Sequence, residues 1–185
     1  MGNNVTTPSV GLKWGLILGL GLALMTTTFA FLNIFGPWFL SIGILLLLIV
    51  GSMAMGIKEF KEGNDTLATF AQGLSVAMIV VVVGGIISTS YSYIYNNYID
   101  TQYLQNTIEY SLEKMQDFGV ELDDEKYAEA LEDGLRRGAS IPSNLLNYLG
   151  FIIIGFIPAL ITAAIMQKKE LDPSELARRM EDREE

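Results

Sequence analysis

Five carboxylates between Asp117 and Glu125 form the densest group of chemically active side chains in the sequence. They could together bind a divalent cation: Asp117, Glu121, Asp123, Asp124 and Glu125. Their spacing lacks the alternating ligands, turn glycine and final glutamate of a calcium-binding loop. We therefore interpret them as a solvated acidic face, and we predict no metal ligand, no catalytic residue and no cofactor.

The composition excludes most enzyme classes. The chain contains no cysteine and no histidine, so it has neither a thiol nucleophile nor the commonest general base. It also lacks a Gly-x-Ser-x-Gly elbow, a phosphate-binding loop and a His-Glu-x-x-His helix. A net charge of −9 disfavours nucleic-acid binding. The sequence therefore predicts a protein that is not an enzyme and does not bind nucleic acid.

Isolated polar residues lie in or beside the apolar segments: Gln72, Ser75, Thr89 and Asn147. One interpretation is a polar path for a small solute, as in a permease or a channel component. The other is that these single amides and hydroxyls bond to neighbouring helices or to backbone carbonyls. The second is favoured because no acidic or basic residue lies deep in the membrane to mark an ion path; Lys13 stands at the entry to the first segment.

Small residues recur every four positions in the first and last apolar segments: Gly11, Gly15, Gly19 and Ala23, then Gly155, Ala159 and Ala163. Such faces allow helix backbones to approach closely. They predict helix packing, either among the spans of one chain or with a second copy or another membrane protein.

The elements that carry these residues are four apolar segments, at about 11–33, 37–56, 67–95 and 145–166. The third has no charge between Asp65 and Asp100, a gap longer than the roughly 20 residues that cross a hydrocarbon core. Its block Val80–Val83 favours a strand in water, but only a helix satisfies its own amides in lipid. We predict a helix capped by Asp65 or Thr66, and a kink in the fourth span at Pro158.

Residues 96–144 are predicted to form a helical insert with two apolar stripes, Leu104-Ile108-Leu112-Met115 and Tyr127-Leu131-Leu135. Gly119 is expected to end the first helix. Glu132 with Arg136 and Asp133 with Arg137 are expected to pair. The tail, 167–185, carries a helix start signal at Asp172.

The distribution of Lys and Arg predicts the orientation. Four spans place both termini on one side, with eight basic residues: Lys13, Lys58, Lys61, Lys168, Lys169, Arg178, Arg179 and Arg183. The insert has four, against eleven acids between Asp100 and Asp133. We therefore expect cytoplasmic termini and an outward-facing insert.

Several segments resemble a known family of small inner-membrane proteins, found mostly in Bacteroidota, the domain-of-unknown-function family numbered forty-one ninety-nine. They are Lys13-Trp14-Gly15, Gly56 to Phe60, Thr69 to Leu74, Tyr91 to Tyr95 and Pro158 to Lys169. The resemblance implies four spans with a helical insert before the last, and it implies no assigned activity. In the family the position of Gln72 often looks basic, and the tail is usually shorter.

The sequence therefore predicts an all-α integral membrane protein, a single membrane domain over 1–185, with four transmembrane helices and an extracytoplasmic helical hairpin between the third and fourth. We expect a non-enzymatic structural or accessory subunit of the bacterial inner membrane. It would contact the lipid bilayer and pack against a second copy or a membrane partner. The alternative is a small-solute permease or channel component.

Overall fold

The fold consists of six α-helices in the residues described by a computed structural model, which are 5–32, 34, 38–64, 68–120, 123–138 and 140–167. The helices are α1 (Thr7–Phe31), α2 (Trp38–Glu62), α3 (Phe70–Ile94), α4 (Thr101–Asp117), α5 (Asp124–Gly138) and α6 (Ile141–Met166). The predicted helix start at Asp172, the proposed caps Asp65 and Thr66, and the Gly36-Pro37 connection lie outside the described residues.

Four of the helices are long and apolar enough to cross a membrane, which confirms the all-helical, four-span class. They cover Thr7–Phe31, Leu40–Glu62, Phe70–Ile99 and Ile141–Met166. We call the end of the bundle with the start of α1 and the end of α6 the terminal end. The opposite end, which carries residues 95–140, is the insert end.

Helices α1 and α2 are longer than the apolar runs because their ends depend on polar caps. The hydroxyl of Thr6 accepts a hydrogen bond from the Ser9 amide, so α1 begins before its first glycine. At the end of α2, the amide nitrogen of Asn64 donates to the Phe60 carbonyl at 2.8 Å, and the helix continues to Glu62.

Helix α3 is capped by Thr69, which differs from the expected cap at Asp65 or Thr66. The Thr69 hydroxyl accepts from the Gln72 amide, while the Gln72 side chain accepts from the Thr69 amide at 2.9 Å. This reciprocal capping box satisfies two backbone donors that a helix start leaves unpaired. At the other end, a π-helical turn at Tyr95–Ile99 leads into α4, whose first turn is capped by Asp100.

Helices α4 and α5 pack against each other between the third and fourth spans. Gly134 lies against Ile108, and Gly138 lies against Leu104. As predicted, Gly119 ends the first helix, with a φ of 87° that glycine adopts without a steric penalty. Met115, at the end of the predicted stripe, is 45% exposed.

Helix α3 contacts all three other spans, and its contact with α1 is the most extensive. Along α1, Gly11, Gly15 and Gly19 lie opposite three β-branched residues of α3 in the same order: Ile79, Val83 and Ile87. A Cβ placed on any of these glycines would lie 2.6 Å from the Cβ of its partner. The two helices are therefore parallel and in close backbone contact along this α1–α3 seam.

A second close contact, the α3–α6 seam, runs antiparallel. Gly85 meets Phe151, Gly155 meets Val81, and Gly73 lies 3.6 Å from Ala163 when a Cβ is placed on it. The steps from Gly85 to Val81 to Gly73 along α3 are four and eight residues, and α6 takes equal steps in the opposite direction. Helix α6 remains continuous through Pro158.

Helix α2 contacts α1, α3 and α6 through an apolar stripe at helical spacing, and so closes the core. The stripe consists of Ile49, Met53, Ile57 and Phe60, all at most 4% exposed. Because the stripe itself is apolar, van der Waals packing stabilises its contacts in lipid.

Candidate functional site

The terminal end of the bundle carries a polar cluster that joins α1 to α2. The carboxylate of Glu59 accepts from the Lys13 ammonium at 2.8 Å and from the indole N–H of Trp14 at 2.8 Å. The Trp14 ring also covers Gly56, where an added Cβ would lie 3.4 Å from the ring. We call Lys13, Trp14, Glu59, Lys61 and Asn64 the terminal clasp.

The other two members of the terminal clasp bind backbone carbonyls. Lys61 donates to the carbonyl of Met166 at 3.0 Å, and so joins α2 to the last residue of α6. Asn64 donates to the Val5 carbonyl at 2.8 Å as well as to Phe60. A lysine at a helix C-terminus is favourable because the last carbonyls carry partial negative charge.

The contacts of the terminal clasp hold the ends of α1, α2 and α6 together. It contains an ion pair, an indole donor and three hydrogen bonds to backbone carbonyls. The sequence places Lys13 at the edge of the first span, but it does not show that Lys13 pairs with Glu59. The pair could have been predicted because opposite charges, Lys13 and Glu59, flank the first two spans at the same end.

The small residues singled out in the sequence all lie in contacts within the chain. Gly11, Gly15 and Gly19 form the α1–α3 seam, and Ala23 is 8% exposed on the same face. Gly155 packs on Val81, and Ala159 and Ala163 are at most 1% exposed. By contrast, a Cβ on Gly43, Gly51 or Gly150 would meet nothing within 4 Å.

The four polar residues proposed as a solute path are not brought together. Gln72 belongs to the capping box, and Ser75 donates its hydroxyl to the Ala71 carbonyl at 2.8 Å. Thr89 is 17 residues beyond Gln72 along α3, a distance of about 25 Å at the α-helical rise. Asn147 is exposed on α6. In the described part of the chain, no observation favours one shared lining for these four side chains.

Two grooves open on the sides of the bundle. The α2–α6 groove, about 430 Å³ in volume, has an entirely apolar surface. The insert-end groove, about 570 Å³, lies between the end of α3 and the start of α6 and includes hydroxyl and amide groups. Neither groove is filled by the contacts of the α1–α3 seam or the α3–α6 seam.

The insert carries an acidic, solvated surface. The guanidinium of Arg136, helped by that of Arg137, holds the pKa of Asp133 below its usual range. Arg136 pairs with Asp133 at 2.7 Å and not with Glu132 as expected, while the expected pair of Asp133 with Arg137 is present. Within the described residues, which omit 121 and 122, no group of three acidic side chains is placed to hold a metal ion.

The fold defines a small multi-pass helical membrane protein with a helical insert before its last span. A family model described as Protein of unknown function (DUF4199) matches residues 13–168. The chain therefore belongs to the DUF4199 family, and the resemblance predicted from the sequence is confirmed. No significant match to a curated protein or to a solved structure was found.

The terminal clasp yields a stability prediction. Glu59→Ala should lower the free energy of unfolding by about 1–3 kcal/mol, because it leaves the Trp14 N–H without its acceptor. Thermal unfolding of the full chain in a mild detergent measures this loss. Glu62→Ala is the matched control, since Glu62 makes only a 3.9 Å pair with the exposed Lys58. Equal losses in the two variants would contradict the role of Glu59.

Proposed function

We propose that the protein is a non-enzymatic accessory subunit of the bacterial inner membrane, which acts by packing against a transmembrane helix of a second copy or of another membrane protein. The observation that carries the proposal is the α2–α6 groove. It is lined by Leu46, Val50 and Ala54 of α2 and by Pro158, Ile161, Thr162, Ile165 and Met166 of α6.

The surface chemistry of the α2–α6 groove supports a helix as its occupant. Its exposed lining is apolar, so it offers no partner to a polar solute. Ala54 is the small residue of the α2 wall, and Gly43 continues the same face toward the insert end. A helix entering here could approach α2 closely, as small residues permit in membranes. The small faces of α1 and α6 are already used inside the chain.

The proposed orientation places both termini in the cytoplasm and the insert outside. It rests on the charge distribution, since Lys13, Lys58 and Lys61 lie at the terminal end while the insert is acidic. The internal contacts at the terminal end are compatible with this placement, because Lys13 and Lys58 keep exposed side chains that can reach anionic headgroups.

Cysteine labelling tests the orientation, and the chain has no native cysteine to interfere. We expect Ser111→Cys, on the exposed surface of α4, to react with an impermeant maleimide in intact spheroplasts. Lys58→Cys, which is also exposed, should react only after lysis. The reverse pattern would contradict cytoplasmic termini.

Photo-crosslinking in native membranes tests the proposed contact. A benzophenone side chain at Val50 or Ile161 should give a protein adduct of the same mass from both positions. The control position is Leu24, which is 69% exposed to lipid on α1 and should give none. An adduct of twice the chain mass identifies a second copy, and another mass identifies a different partner.

A substitution that fills the α2–α6 groove tests whether the adduct forms in that groove. Ala54→Phe should reduce the adduct from Ile161 at least tenfold, because the ring occupies the α2–α6 groove. Leu20→Phe, at a side chain of α1 that is 60% exposed, is the control and should leave the adduct unchanged. Adducts of equal yield from Val50, Ile161 and Leu24, or none from the first two, would overturn the proposal.

A further inference from the structure

The insert-end groove takes no part in the proposed helix contact, since it shares no lining residue with the α2–α6 groove. It begins where the α3–α6 seam ends. Tyr148 and Phe151 cover Gly85, and α3 has no glycine or alanine beyond that position to keep the helices close. The helices therefore leave a space of about 570 Å³, which is within the usual range of small-molecule sites.

The wall of the insert-end groove is graded from apolar to polar. Ile86 of α3 and Leu145 of α6 contribute apolar surface. Thr89, Ser90 and Tyr93 contribute hydroxyl groups over the next two turns of α3. Since α3 runs toward the insert end, these hydroxyls lie nearer the edge of the hydrocarbon layer than Ile86 does. Tyrosine is common at that depth.

The hydroxyls of Thr89 and Ser90 make no hydrogen bond with the described residues. Other hydroxyls in the spans, such as those of Thr26, Thr28 and Ser75, donate to the carbonyl four residues back. A hydroxyl at an apolar surface costs free energy until it finds a partner. These two groups are therefore available as donors to a molecule in the groove.

Among the described residues, the lining of the insert-end groove contains no charged side chain, and Asn144 is its only amide. The Asn144 side-chain nitrogen donates to the carbonyls of Gly138 at 3.2 Å and Ser140 at 2.9 Å. Its oxygen remains an acceptor. An ionised ligand head would find no opposite charge here, and an uncharged head would find both donors and an acceptor.

We propose that the insert-end groove binds a neutral membrane amphiphile whose uncharged head carries carbonyl and hydroxyl oxygens. The head accepts hydrogen bonds from Thr89 and Ser90. The apolar part lies along Ile86 and Leu145 and leaves sideways into the bilayer. This site is separate from the α2–α6 groove, because the two grooves use opposite ends of α6 and share no lining residue.

Native mass spectrometry of the full chain in a mild detergent tests the proposal with dioleoylglycerol as the probe. Dioleoylphosphatidylglycerol has the same tails and a charged head. We expect one dioleoylglycerol to be retained, with an apparent affinity at least tenfold higher than that of the anionic lipid. Equal retention of the two lipids would overturn the neutral class of ligand.

Two substitutions locate the binding. Leu145→Trp, at a side chain that is 57% exposed, should fill the groove and lower dioleoylglycerol retention at least tenfold. Leu47→Trp is the matched control on the lipid face of α2, at 71% exposure, and should leave retention unchanged. Unchanged retention in Leu145→Trp would contradict the site.

Thr89→Val keeps the shape of the side chain and removes its hydroxyl. It should reduce the preference for dioleoylglycerol over dioleoylphosphatidylglycerol, while total lipid retention changes less. An unchanged preference would contradict the role of the hydroxyl, even if Leu145→Trp blocks the groove.

Discussion

The close approach of α1 and α3 is the constraint on which the rest of the structure depends. Three glycines of α1 lie directly beneath three β-branched side chains of α3, and no Cβ fits between them. The χ1 angles of valine and isoleucine are restricted in a helix, so this ridge is rigid before the helices meet. Because lipid supplies no hydrophobic drive for association between spans, such interlocking shape is a main source of their stability.

The position of α3 fixes the other spans and leaves their outer faces free. Its opposite side receives the small residues of α6, and the stripe of α2 closes the core. The terminal clasp then holds the ends of α1, α2 and α6 together through Glu59 and Lys61. On the described outer surface of the spans, these contacts leave the α2–α6 groove, which is apolar, and the insert-end groove, which has neutral polar groups.

Much of the fold follows from local sequence signals. Hydrocarbon thickness sets the length of a span, which made the four helices predictable, and Gly119 was predictable because a positive φ suits glycine. The small faces of α1 and α6 were also visible. The helices that these faces contact were not predictable, because a periodic pattern does not show which helix it packs against or in which register. The Thr69 cap was missed because two polar residues preceded it and appeared equally suitable.

The candidate sites were less predictable than the fold. Lys13 and Glu59 are far apart in sequence, and only the packing of α1 on α2 brings them together. Thr89 and Asn147 were grouped with Gln72 by polarity alone, whereas position along α3 separates Thr89 from Gln72.

Exchanging a small and a large side chain across the α1–α3 seam tests most directly whether α1 and α3 meet in this register. Gly15→Val should destabilise the bundle by about 1–3 kcal/mol through overpacking. Thermal unfolding in a mild detergent should show partial recovery when Val83→Gly is added, because the two positions face each other. Adding Ile79→Gly to Gly15→Val should lower the stability further, because Ile79 faces Gly11 and not Gly15. Equal stability of the two double variants would contradict the register on which this account rests.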